Sequence, residues 1–172
     1  MMKEAAVLVP VYRDIDGNIR VVLIRRSPFG IHGNQIALPG GKLEDFDESP
    51  LSAALREAEE EIGIDERSVS VLSALPPVEI TVSGYRIYPF LAQIQPPVTW
   101  RCQESEVAEV IDIMVSELLR PEAHSEELWV LPGCPEPRMI PFYRVGSYKL
   151  WGATYRILQP VLPEILTGKW KI

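Results

Sequence analysis

"GGKLEDFDESPLSAALREAEEEIGI", residues 40 to 64, decides how the rest of the chain is read. Pro39 fixes one backbone angle, and Gly40 and Gly41 after it reach conformations closed to other residues, so the segment opens on a sharp turn. Ser49 is a capping residue and Pro50 suits a first helical turn; the spacing predicts a helix from there to Ile62, stopped by Gly63. Its last turns crowd Glu57, Glu59, Glu60 and Glu61 together. Like charges three or four apart on a helix repel, each pair costing roughly 0.2 to 0.5 kcal/mol, so the cluster implies a positive partner. At about 100° per residue, Glu57, Glu60 and Glu61 share one face. Leu51, Ala54, Leu55, Ala58 and Ile62 form an adjoining stripe that should pack on a sheet, while Glu59 points to solvent. The acidic face is therefore expected at the rim of a cleft, with the Gly40-Gly41 turn nearby. Oxygen-rich, histidine-free clusters suit hard cations, Mg²⁺ above all with Mn²⁺ close behind. Taken alone, three glutamates read more readily as a solvated helix face.

Working outward, "AAVLVPVY" (5 to 12) and "NIRVVLIRR" (18 to 26) are rich in β-branched residues and flank the turn signal Asp16-Gly17, which predicts a hairpin. "QIALP" (35 to 39) reads as a short strand. Residues 69 to 94 read as strands broken at Pro76-Pro77 and at Ser83-Gly84, and "EVIDIMV" (109 to 115) as a strand running into a helical turn at "SELL". A proline-punctuated β excursion is expected between 127 and 145. A closing helix follows from about Ala153, kinked or divided by Pro160 and Pro163. Strands, helix, strands, helix favours an α+β or layered αβα architecture over a bundle.

The chain has 172 residues, 47% hydrophobic and 24% charged, the proportions of one globular domain. A net charge of -7 argues against nucleic acid as main partner, because that grip comes from Lys and Arg displacing counterions. Cys102 and Cys134 show no metal-type spacing and no disulfide framework. No export signal or membrane-length apolar run is apparent, so a cytoplasmic protein without membrane attachment is expected. Exposed strand edges and the stretch 120 to 147 could build a homodimer.

Residues 40 to 64 resemble the Nudix box, Gx5Ex7REUxEExGU with U a bulky aliphatic residue. Arg56, Glu57, Ala58, Glu60, Glu61, Gly63 and Ile64 match its second half, with Ala58 smaller than the pattern prefers. The front half is one residue longer than the pattern, which leaves open whether Asp47 or Glu48 is its first acid. The longer spacing resembles the coenzyme A pyrophosphatase branch. So does "RRSPFGIHGNQIALPGG", which supplies Arg25, Arg26, Ser27, His32, Gln35 and Pro39-Gly40-Gly41, with Leu38 in place of the usual Phe. The loop before His32 lacks the basic residues often seen there. "LPPVEITVSGYRIYPF" and "WGATYRIL" are similar to segments of bacterial members, whereas 120 to 147 has no such likeness.

The resemblance implies a Nudix fold, an αβα sandwich with a mixed sheet and the box helix packed on it, spanning residues 1 to 172. It implies hydrolysis of a nucleoside diphosphate derivative by attack of water on phosphorus with Mg²⁺ or Mn²⁺. By the same resemblance Glu57, Glu60, Glu61 and the Gly40 carbonyl hold metal, Arg56 orients the glutamates, and Glu106 is an additional carboxylate preferred over Glu104 and Glu109. The base stays open among Glu57, Glu60, Glu61 and Glu106. For a coenzyme A-like small-molecule substrate, Arg25, Arg26, His32, Gln35, Lys42 and Arg86 are candidate contacts, cationic or amide donors of the type a 3'-phosphate needs. Alternatives are another substrate (ADP-ribose, a dinucleotide polyphosphate, a damaged nucleoside triphosphate) or a nucleotide-sensing module without turnover.

Overall fold

The computed structural model describes residues 1–97 and 99–172. Strands β1 (Lys3–Arg13) and β2 (Ile19–Arg26) form the expected hairpin, with Val11 opposite Val21. The Asp14 carboxylate accepts the backbone N–H groups of Asp16 and Asn18 at 3.0 and 2.8 Å, closing the turn through the side chain. Short strands β3 (Ile36–Ala37) and β4 (Gly40–Lys42) pair with β2 and β1 respectively. Helix α1 (Pro50–Ile62) has the bounds the caps predict.

After α1 come β5 (Val69–Ala74), β6 (Val78–Ile80), β7 (Tyr85–Ile94) and β8 (Val107–Met114). β7 runs parallel to β1 along nine residues, Lys3 opposite Tyr85 through Val11 opposite Gln93, and this pair makes the sheet mixed. The order through the sheet is β3-β2-β1-β7-β5, with β8 also on β2 and β6 on β7. A single turn α2 (Val115–Leu118) precedes β9 (His124–Leu131), β10 (Cys134–Val145) and β11 (Tyr148–Leu150), which form a separate three-stranded antiparallel sheet where a β excursion was expected.

Side-chain alternation splits the core into two layers. Leu8, Val22, Ile24, Ala92 and Ile94 pack with Ala58 and Ile62 of α1, while Val9, Val11, Val21, Leu23 and Leu91 face the other way, onto helix α3 (Gly152–Leu166) and the second sheet. The αβα layering follows. α3 is one element of 15 residues, not divided at its prolines. Pro160 and Pro163 lie on its exposed side, as do Arg156 and Gln159, the residues whose carbonyls lose an N–H partner, while Ile157, Leu158, Val161, Leu162 and Ile165 keep the opposite stripe buried. Among the described residues no helix is long and apolar enough to cross a membrane.

Candidate active site

The ends of α1 are held by local chemistry. Ser49 Oγ accepts the Ser52 N–H at 3.1 Å, Ser52 Oγ accepts the Ser49 N–H at 2.9 Å, and Gly63 takes a left-handed conformation with φ 76°. Ala53, Ala54 and Ala58 are fully buried, and their small side chains let α1 settle close to β1 and β4. That proximity brings the helix glutamates to the glycine turn. The Gly40 N–H donates to Glu61 Oε2 at 3.2 Å. A Cβ on Gly40 would stand 2.3 Å from the Ala6 carbonyl oxygen and has no room, and one on Gly41 would stand 2.6 Å from the Glu57 carboxyl carbon, so a side chain there would have to displace Glu57.

Of the acidic face, one carboxylate lies deeper than a cleft rim. Glu61 is only 5% exposed. Burial pushes its carboxyl up to about 8; the Gly40 N–H and Arg26 oppose the rise, and the neighbouring charges of Glu57 and Glu106 add to it. Burial also raises Glu57, against the pull of Arg56. Glu59 and Glu60 are exposed. The Arg56 guanidinium gathers the face: it donates twice to Asp47 at 2.9 Å, to Glu57 at 3.0 Å, to Glu60 at 3.3 Å and to the Lys42 carbonyl at 3.2 Å. This fork holds the Asp47 carboxyl below its ordinary range. Asp47, with a side chain 3% exposed, thus meets Arg56, whereas Glu48 points to solvent.

The other candidates divide. Glu106 is exposed and lies near enough to Glu61 to act on its charge; its N–H donates to the Gln103 carbonyl at 2.9 Å, and the Gln103 N–H donates to the Glu61 carbonyl at 2.9 Å. Arg25 and Arg26 are consecutive in β2 and emerge on opposite faces of the sheet. Arg26 is on the side of Glu61, while Arg25 pairs with Glu109 at 3.0 Å, donates to Asn34 at 2.9 Å and lies over the Tyr148 ring. Arg86 is engaged by Glu79. His32 and Lys42 are exposed, and half-buried Gln35 donates its N–H to the His32 carbonyl at 3.2 Å. Gly40, Arg26, Arg56, Glu57, Glu61 and Glu106 therefore converge, and Arg25 and Arg86 are held elsewhere. Two contacts were not foreseen: the Gln103 bridge to the helix end and the Phe46 ring 5.3 Å from the Arg56 guanidinium carbon. Both residues sit in loops, where no periodicity marks a side chain.

The family model of the NUDIX domain matches residues 2–133. The chain belongs to the Nudix family. An "Uncharacterized Nudix hydrolase NudL" of Escherichia coli is 33% identical over 164 residues, 95% of this chain and 83% of that protein. The protein of the same description from Cronobacter sakazakii is 39% identical over 118 residues, 69% of this chain; that match spans 60% of the relative's length. Among solved structures, a Nudix hydrolase from M. smegmatis, RenU, covers 99% of this chain and 89% of its own at TM-score 0.64 and 19% identity. The NUDIX domain of Shewanella oneidensis NrtR, complexed with ADP ribose, covers 69% of this chain and 77% of its own at TM-score 0.57 and 18% identity. These likenesses establish the Nudix fold.

Nudix hydrolases act on nucleoside diphosphate derivatives and generally use divalent ions such as Mg²⁺ or Mn²⁺. The chemistry of this Nudix face fits such an ion: every donor is oxygen, two carboxylates are desolvated, and burial raises both, with Glu60 and Asp47 adding to the rise of Glu57 and Glu57 and Glu106 to that of Glu61. Among the described residues no three carboxylate, cysteine or histidine side chains converge tightly enough to enclose an ion as they stand. Arg56 draws Glu60 aside, but that pair is long, with the Glu60 side chain 49% exposed, and exposed pairs of this kind are cheap to exchange.

Proposed function

We propose that this Nudix hydrolase cleaves the pyrophosphate bond of coenzyme A, or of an acylated or oxidised derivative, to give 3',5'-ADP and the corresponding 4'-phosphopantetheine. The observation that carries this reading is the pairing of a box one residue longer than the usual pattern with the upstream constellation Arg25-Arg26-Ser27, His32, Gln35 and Pro39-Gly40-Gly41. Glu57 and Glu61, joined by Glu60 and by the Gly40 carbonyl, are the groups we assign to Mg²⁺ or Mn²⁺. The ion, when bound, offsets charge on the phosphoryl oxygens and eases deprotonation of water. Arg56 holds Glu57 and Glu60 in place from its anchor on Asp47. The base that takes a proton from water we assign among Glu57, Glu60, Glu61 and Glu106, of which Glu61 is shielded from solvent and Glu106 open to it. Arg26 beside Glu61 and exposed Lys42 beside Gly41 are the cations assigned to substrate phosphates.

The experiment is chromatographic product analysis after incubation with coenzyme A, 3'-dephospho-coenzyme A and ADP-ribose, each with Mg²⁺, Mn²⁺ or EDTA. Metal-dependent 3',5'-ADP from coenzyme A, with slower cleavage of the other two, is expected. Equal or faster cleavage of ADP-ribose would discard the coenzyme A assignment, and saturable binding without turnover of any substrate would make the chain a sensor.

A further inference from the structure

The loop between β4 and α1 presents Phe46 to solvent, 71% exposed. Single exposed apolar residues are ordinary, so its placement has to carry the argument. The turn beneath it is closed from both ends: the Glu44 N–H donates to the Asp47 carboxylate at 2.9 Å, and the Asp47 N–H donates to the Glu44 carbonyl at 3.0 Å. The same Asp47 carboxylate is locked on Arg56. Phe46 is thereby fixed next to an anchored residue, with its ring centroid 5.3 Å from the Arg56 guanidinium carbon. That guanidinium in turn grips Glu57 and Glu60. The ring is backed by a cation, wet over most of its surface, and one side chain away from the acidic face.

A preorganised aromatic surface of this kind suits a flat partner, and stacking of a base on an aromatic ring is a standard use of it. The charges around the ring select which part of a nucleotide lies there. Glu44 and Asp45 are exposed acids beside Phe46. They repel phosphate and can accept hydrogen bonds from the amino group of a purine. We infer that Phe46 is the platform on which the adenine of the substrate stacks, with the pyrophosphate directed toward Glu57 and Glu61. This rests on the reading of the site as one for nucleoside diphosphate derivatives and adds the residue that holds the base.

The test is isothermal titration calorimetry of the full chain with ADP and, separately, inorganic pyrophosphate, both with Mg²⁺, comparing wild type with Phe46→Ala and Phe46→Trp. Phe46→Ala is expected to weaken ADP about tenfold, the scale of one lost base stack, with pyrophosphate unchanged and Phe46→Trp retaining wild-type affinity. Unchanged ADP affinity in Phe46→Ala would overturn the inference. Equal weakening of ADP and pyrophosphate would also overturn it, because the ring would then act only by steadying Arg56; so would failure of wild type to bind ADP. Phe46-dependent ADP binding in a protein that cleaves nothing would keep the platform and remove only the catalytic reading.

Discussion

Gly41 and Glu57 are in such close approach that a Cβ on the glycine would stand 2.6 Å from the Glu57 carboxyl carbon. Gly41→Ala must therefore push the Glu57 side chain away from the turn while the helix and its caps stay in place. Displacing a catalytic group by about 1 Å can cost on the order of 100-fold. A fall in kcat of that size is expected with little change in melting temperature; activity within twofold of wild type would show that the Glu57 position is immaterial.

Glu61→Gln removes charge and almost no volume from a side chain that is 5% exposed. Turnover should drop by more than the roughly 10- to 100-fold typical of residues that only support a metal ligand. The metal-free variant should melt no lower than wild type at neutral pH, since burial raises the Glu61 carboxyl to about 8, folding must protonate it there, and glutamine is neutral without that cost. Glu59→Gln, on the exposed side of α1, should leave the rate unchanged. Paired kinetics and thermal melts check both variants.

Asp47→Asn halves the fork on Arg56, whereas Glu48→Gln alters a solvated side chain. The first should lower kcat/KM roughly 10- to 100-fold, the range for groups that orient a ligand, and the second should be silent. Comparable losses in both would mean that Arg56 is not held by Asp47 in solution.

On β1, the Tyr12 hydroxyl donates to Asp112, which also takes Arg20 at 2.6 Å. Burial first, and the Asp112 hydrogen bond second, push the Tyr12 phenol from 10.0 up to about 12. The fold favours the neutral phenol, so its contribution is full below pH 10 and is lost as the pH rises through about 12. Absorbance titration should show a late-ionising phase, shared with buried Tyr143, that shrinks by one tyrosine in Tyr12→Phe, and the variant should lose less stability than wild type between those limits. An unchanged titration curve in Tyr12→Phe would refute this assignment.

Local signals made much of this legible. Ser49, Pro50 and Gly63 bound α1 because capping is satisfied within a few residues. Asp16-Gly17 places the hairpin for the same reason. Whether the prolines of α3 divide it was not legible, because their cost depends on which side of the helix they occupy, and that side is set by packing against β10 and the central sheet.

By itself the sequence determined the Nudix box, the helix that carries it, the order of strands around it and the oxygen-only character of its acidic face. Each depends on neighbours in the chain. Only the tertiary structure decided that Glu61 is buried, that Asp47 and not Glu48 meets Arg56, that Arg26 joins the acids while Arg25 leaves for Glu109, and that Gln103 ties the helix end to Glu106. Depth of burial and choice of ion-pair partner are set by segments brought together from β1, β4 and residues 101 to 107, and no local spacing encodes that meeting.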